Sequence, residues 1–377
     1  MSDVVGIEKI TDRAGTGGPN FTNGFNINGS DSGISAFVHT SGTTEPSNPS
    51  NGDTWWKTDD ESYHVYMNNA WQNWLGDSLV GFYGGDRVLF GGGKKDGTHV
   101  EPIVLTIQYW TMTTSGNAST FGNLQSRKFS TRSASSSTRG LWAGGSHTSA
   151  TDEIDYVTIS TLGNAQDFGN LLSAQSYGAC HSDGAKFFVA GGHPATNVIQ
   201  YVTIATTGNA ADWGDITSNR NYIMASGDAT RGLATGSPLG GGANVIDYWS
   251  TQTAGNAADF GDLTQNRRQG AGTSDTTRAV FGGGYQDGGL EHTNIMDYVT
   301  VQTLGNATDF GDLINDIATN IGATCNGTIG HWAGGYYHPN ASNIIQKVTI
   351  QTTGNATDHG DLAARLYGGD CCSGAPS

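Results

Sequence analysis

A unit of 45 to 50 residues recurs six times in the 377-residue chain, and it limits the possible folds more than any other feature. Its most constant part is a nine-residue stretch. The copies are GNASTFGNL (116–124), GNAQDFGNL (163–171), GNAADWGDI (208–216), GNAADFGDL (255–263), GNATDFGDL (305–313) and GNATDHGDL (354–362). Each follows a strand-like run whose tyrosine (Tyr109, Tyr156, Tyr201, Tyr248, Tyr298; Lys347 in the last copy) precedes the motif aromatic by 12 residues. Further upstream lies a β-prone run ending in glycine: RVLFGGG, RGLWAGG, KFFVAGG, RGLATG, RAVFGGG and GHWAGG. A period of this length with about four strands marks a β-propeller blade, because a single blade cannot bury its two faces and must stack on neighbours.

The chain enters the repeats on a strand at 87–93 that lacks its preceding partner, and it ends on that missing piece, RLYGGDCCSG (365–374). Pairing of first and last strands would close the ring and remove two open edges. The expected fold is therefore all-β: a six-bladed propeller over 78–377, a small aromatic-rich β-meander over 41–77 and an extended segment over 1–40. The meander is read from DTWWKT, YHVYMN and AWQNWL, and Trp55, Trp56, Tyr63, Trp71 and Trp74 give it a large apolar load.

Composition narrows the function classes. Glycine supplies 57 residues, yet there is no G-X-Y period and aromatics reach 10 %, which fits many short strands joined by turns. The net charge of −16 opposes binding to nucleic acid and to anionic membranes. No apolar run of membrane-spanning length or signal-peptide character occurs, so the expectation is a soluble product made in the cytoplasm, with no membrane insertion. Cys180, Cys325, Cys371 and Cys372 are too few and too unevenly placed for a disulfide framework.

Loop lengths separate frame from surface. The distance from the motif aromatic to the next glycine pair is about 22–24 residues throughout, whereas that from the glycine pair to the next tyrosine strand varies from about 10 to 17. The variable connections (94–101, 146–153, 193–197, 237–244, 285–294 and 336–343) should emerge on one face, where recognition loops on a rigid scaffold belong. The candidate receptor-binding residues are Lys94, Lys95, His99, His147, His193, Asn197, Tyr285, Asp287, His292, Tyr336, Tyr337 and His338.

Catalytic and metal signatures are not found, and the expectation is a non-enzyme with no cofactor. Asp309 and Asp312 sit at i, i+3 without the glutamate an EF-hand loop needs, and several copies replace one of them. Capping of nearby backbone amides explains such residues better. Adjacent Cys371 and Cys372 do not suit one tetrahedral zinc site. No pair of carboxylates is brought together by the sequence alone, as glycoside hydrolysis would require.

Two resemblances follow from these residues. The double glycine, the tyrosine strand and then TTGNAADWGDITSNR (206–220), with Trp213, Ile216 and Arg220, resemble a kelch repeat; Phe or His stands at the usual tryptophan in the other copies. ITDRAGTGGPNFTNGFNI and EPSNPSNGDTWWKTDDESYHVYMNNAW resemble the N-terminal parts of bacteriophage tail-fibre and virion proteins. That second resemblance implies a virion structural protein, most simply a tail fibre or receptor-binding protein. Residues 1–77 would join other tail proteins, and a propeller, displayed as a homotrimer, would meet a host surface glycan or protein. A head fibre or capsid decoration protein, and a glycan-degrading tail enzyme, are the alternatives.

Overall fold

The computed structural model describes residues 39–47, 53–57, 62–67, 70–73, 85–95, 103–236, 244–275, 277–286, 292–315, 321–337 and 339–374. The segment expected to be extended thus lies, up to residue 38, outside the described residues. Two compact units divide the chain, Met1–Asp77 and Ser78–Ser377. The described elements are all strands.

In the first unit β2 (Thr54–Lys57), β3 (Ser62–Met67) and β4 (Ala70–Asn73) form an antiparallel meander. A further strand, β1 (His39–Gly42), pairs parallel with β2. Trp55 is its buried anchor: its indole N–H donates to Gly42 O at 3.1 Å, and its ring lies 5.2 Å from that of His64.

The second unit is a six-bladed β-propeller. Four blades run in simple chain order from inside to outside: β9–β12 (132–175), β13–β16 (179–220), β17–β20 (224–262) and, with short β24 (Tyr285–Gln286) set aside, β22, β23, β25 and β26 (271–312). The sixth is β27 (Gly322–Cys325), β28 (Ile329–Ala333), β30 (Asn340–Thr349) and β31 (Thr357–Tyr367). The first blade is composite: β5 (Arg87–Gly91), β7 (Thr106–Thr111) and β8 (Ser119–Asn123) take their innermost strand from the end of the chain, β32 (Asp370–Gly374). Five residue pairs, from Asp370↔Gly91 to Gly374↔Arg87, hold that junction.

The core lies between blades rather than within them. Leu141, Ile154 and Phe168 of one blade meet Phe187, Val202 and Ile204 of the next. Between the composite blade and the sixth, Val88, Phe90 and Trp110 meet Ile345, Leu362 and Leu366. Each strand second from the axis is buried for four residues in a row, as a strand covered on both faces must be.

The repeated motif is the fastener between blades. Its asparagine accepts a backbone amide from the preceding blade in all six copies, at 3.0–3.1 Å: Asn164 from Asn123, Asn209 from Asn170, Asn256 from Asp215, Asn306 from Asp262, Asn355 from Asp312 and Asn117 from Asp361. The flanking glycine and alanine amides add two backbone bonds, such as Gly305 N to Phe260 O (2.9 Å) and Ala307 N to Asp262 O (2.7 Å). The asparagine thus caps a neighbour, whereas the motif aspartate caps locally, as Asp259 does for Gly261 N. The second motif glycine leaves room for this clasp. A β-carbon on Gly261 would stand 2.3 Å from Gly305 O, and one on Gly360 2.2 Å from Gly116 O.

A second inter-blade device is electrostatic. Buried ion pairs Lys128–Asp155 (3.0 Å), Arg220–Asp247 (2.8 Å) and Arg267–Asp297 (2.8 Å) link the end of one outer strand, or the passage just after it, to the third strand of the next blade. Where no cation precedes, glutamine takes the aspartate's place: Gln108 and Gln200 accept the amides of Ala363 and Leu172 at 2.7 Å. The charge is present only where it is matched, because an unmatched buried charge is costly. Burial pushes the Asp155 carboxyl up, with Lys128 opposing, and pulls the Arg267 guanidinium down, with Asp297 opposing.

Candidate binding face

Antiparallel four-stranded blades send their connections alternately to two ends. Second-to-third strand connections, which follow the glycine pairs, share an end with the passages from one blade's outer strand to the next blade's inner strand. Backbone pairs knit the two sets together: Phe129↔Ser146, Ser176↔His193 and Tyr367↔Lys94, with Arg267–Arg268 pairing Tyr285–Gln286. The opposite end carries the constant motif turns.

At the first end the passages share an unusual backbone. The residue two before the inner strand is left-handed in each described case: Ser130 (φ 54°), Tyr177 (55°), Tyr222 (57°), Gln269 (64°) and Gly368 (73°). Their amides run round the axis as a chain. Ser130 N donates to Gly368 O (2.5 Å), Tyr177 N to Ser130 O (3.1 Å), Tyr222 N to Tyr177 O (2.9 Å) and Gln269 N to Tyr222 O (2.8 Å).

Beside that chain lies a belt of rings and cations, half-buried except for the exposed His193. Lys94 sits 5.9 Å over Phe129, whose ring is 6.3 Å from Tyr177; Tyr177 and Tyr222 are 4.4 Å apart, and His193 stacks on Tyr222 at 6.4 Å. Arg268 bridges Tyr222 (5.9 Å) and Tyr285 (5.2 Å). Tyr285 touches His292 (5.5 Å), His292 touches Tyr336 (6.3 Å), and Tyr336 touches Tyr367 (5.0 Å). Tyr367 then pairs through its backbone with Lys94, completing the circuit.

Of the residues singled out by loop length, Lys94, His193, Tyr285, His292 and Tyr336 stand in this belt. Lys95, His147 and Tyr337 are exposed and Asn197 is half-buried in the same connections, outside the circuit. His99, Asp287 and His338 lie outside the described residues. Phe129, Tyr177, Tyr222, Arg268 and Tyr367 escaped the sequence reading. They occupy connections of constant length, and constant length was taken for constant role. The signal was available: SRKFS, AQSYG, SNRNY and RRQG keep one length while changing side chain.

Other candidate places belong to the frame. A cleft of about 330 Å³ at the opposite end is lined by Arg139, Tyr156 and Leu162. Its Arg139–Tyr156 stack (5.0 Å) recurs as Arg87–Tyr109, Arg231–Tyr248 and Arg278–Tyr298, so it belongs to the repeat. On the axis a cavity of about 90 Å³ is lined by serines, threonines and the thiols of Cys180, Cys325, Cys371 and Cys372. All four thiols are free, and burial pushes them up, Cys325 to about 12, so they are held as neutral packing groups. Burial likewise raises Asp370 to about 6. Among the described residues no group of three or more His, Cys, Asp or Glu is placed to hold a metal ion.

A search against protein-family models finds no match, and a search of curated proteins finds none either. The chain is therefore described by its fold, an all-β six-bladed propeller.

Proposed function

We propose that the chain is a bacteriophage virion protein, a tail fibre or receptor-binding protein, whose propeller contacts the host cell surface. The closed belt carries the contact part of this reading. One end of the ring gathers five tyrosines, a phenylalanine, two histidines and two cations that differ from blade to blade, while the other carries the repeated motif turn and short first-to-second strand turns. Rigid aromatic side chains with polar tips are economical recognition groups, because little side-chain freedom is lost on contact. The phage part rests on the resemblance of the N-terminal stretches. In this reading residues 1–77 join the virion, and trimeric display multiplies weak contacts.

Two measurements test it. Antibody raised against the propeller should decorate the tail tips of intact particles in electron micrographs; decoration of the capsid, or absence from particles, overturns the tail assignment. The purified full-length chain should coat bacterial envelopes saturably without releasing new reducing ends. Release of reducing ends would replace attachment by glycan cleavage.

A further inference from the structure

Two tyrosines of the belt stand where the backbone disfavours them. At φ of 55° and 57°, Tyr177 and Tyr222 are in a region where a β-carbon crowds the neighbouring carbonyl. The frame does not require a ring there, since Gly368 fills the equivalent place in the closing blade and Ser130 in the second. Side chains kept against local strain point to use of the side chain.

What these rings can meet is limited by what surrounds them. Each tyrosine's amide is already spent in the circumferential chain, Tyr177 N on Ser130 O and Tyr222 N on Tyr177 O, and the Tyr222 carbonyl accepts Gln269 N. A peptide adding itself as a strand needs an open backbone edge, and this chain of bonds does not offer one. A polyanion meets a protein of net charge −16. A sugar ring needs neither an open backbone nor a strong field. Its C–H face packs on an aromatic face, and its rim of hydroxyls exchanges hydrogen bonds with phenol, imidazole and guanidinium groups. Contacts among these groups, Tyr177 to Tyr222 (4.4 Å) and Arg268 to its flanking rings (5.9 and 5.2 Å), hold them together as one aromatic and cationic patch.

We propose that the arc Tyr177, Tyr222, Arg268 and Tyr285, with His193, binds consecutive sugar rings of a cell-surface polysaccharide. The proposal rests on the attachment reading of this face and deepens it.

The test uses the full-length chain, the bacterial cells it coats, and the polysaccharide and protein fractions extracted from those cells. Wild type should bind the polysaccharide fraction. The double variant Tyr177→Gly/Tyr222→Gly, which relieves the left-handed strain, should melt within a few degrees of wild type yet bind that fraction at least tenfold more weakly. Tyr285→Ala, on a separate connection, should weaken it several-fold and keeps the test decisive if the double variant misfolds. Wild-type binding to cells but to the protein fraction alone overturns the sugar proposal and leaves attachment standing. Variants that hold the polysaccharide as tightly as wild type overturn the assignment to this arc. Failure of wild type to coat any cell type overturns the attachment reading itself.

Discussion

Replacing Gly261 by alanine should damage the propeller far more than replacing Gly255, although both lie in the same nine residues. The Gly261 backbone has φ of 148°, and its added β-carbon would stand 2.3 Å from Gly305 O and 2.5 Å from Gly305 C, both backbone atoms that cannot swing aside. Relief requires the neighbouring turn to withdraw. That breaks Gly305 N–Phe260 O, Ala307 N–Asp262 O and Asp262 N–Asn306 Oδ1. At about 1 kcal/mol for each lost bond and about 1–2 kcal/mol for the strained φ, the loss is about 4–5 kcal/mol. Around Gly255 a β-carbon meets nothing within 4 Å, and its backbone is not left-handed, so alanine there should be neutral or slightly stabilising. Urea unfolding followed by tryptophan fluorescence, with calorimetry in parallel, measures both. In a unit of this size, a loss of about 4–5 kcal/mol should lower the melting temperature of the Gly261 variant by roughly 6–8 °C. A Gly261→Ala midpoint equal to that of Gly255→Ala would refute the clasp as the joint between blades.

The other devices are testable in the same way. Asp297→Asn leaves the Arg267 charge buried without its partner and should cost about 3–5 kcal/mol; Arg267→Gln/Asp297→Gln, which copies Gln175 and Gln200 of another blade, should recover most of it in urea titrations. His331 is held down to about 2 by burial, with His359 and Lys347 adding to the effect, so the folded state stays unprotonated while the unfolded chain takes up a proton below about 6.5. Stability from this group is therefore complete above that pH and falls by up to about 1.4 kcal/mol per pH unit as pH drops toward 2. His331→Leu, which installs the residue of three other blades, should flatten that slope relative to wild type, at a pH-independent cost from the orphaned Trp110 indole N–H. Deletion from Asp370 onward removes the inner strand of the composite blade and its buried Cys371 and Cys372, and should abolish the cooperative unfolding transition.

The blade count and order of strands were legible because a 45–50-residue period with a fixed tyrosine-to-aromatic offset repeats six times, and the lone strand at each end implied where the ring closes. The role of the motif asparagine was not, since its partner lies about 40 residues earlier in five copies and 244 later in the sixth, beyond any local turn rule. Asp155, Asp247 and Asp297 share one register position with Gln108, Gln200 and Gln346, and only the spatial neighbours of the aspartates, Lys128, Arg220 and Arg267, explain the choice. The parallel pairing of His39–Gly42 also has no local signature. Half of the belt was found through variable loop length. Tyr177 and Tyr222 were hidden because their connections keep one length from blade to blade, and because tyrosine is not expected at a left-handed position.

Hydroxyl-radical footprinting of the full-length chain, free and bound to bacterial envelopes, tests directly whether the belt is the contact surface. Protection concentrated on Phe129, Tyr177, Tyr222, Tyr285 and Tyr336, with exposed Leu162 and Leu304 at the opposite end unchanged, is the expected result. Protection of Leu162 and Leu304 with the belt still reactive would contradict the account.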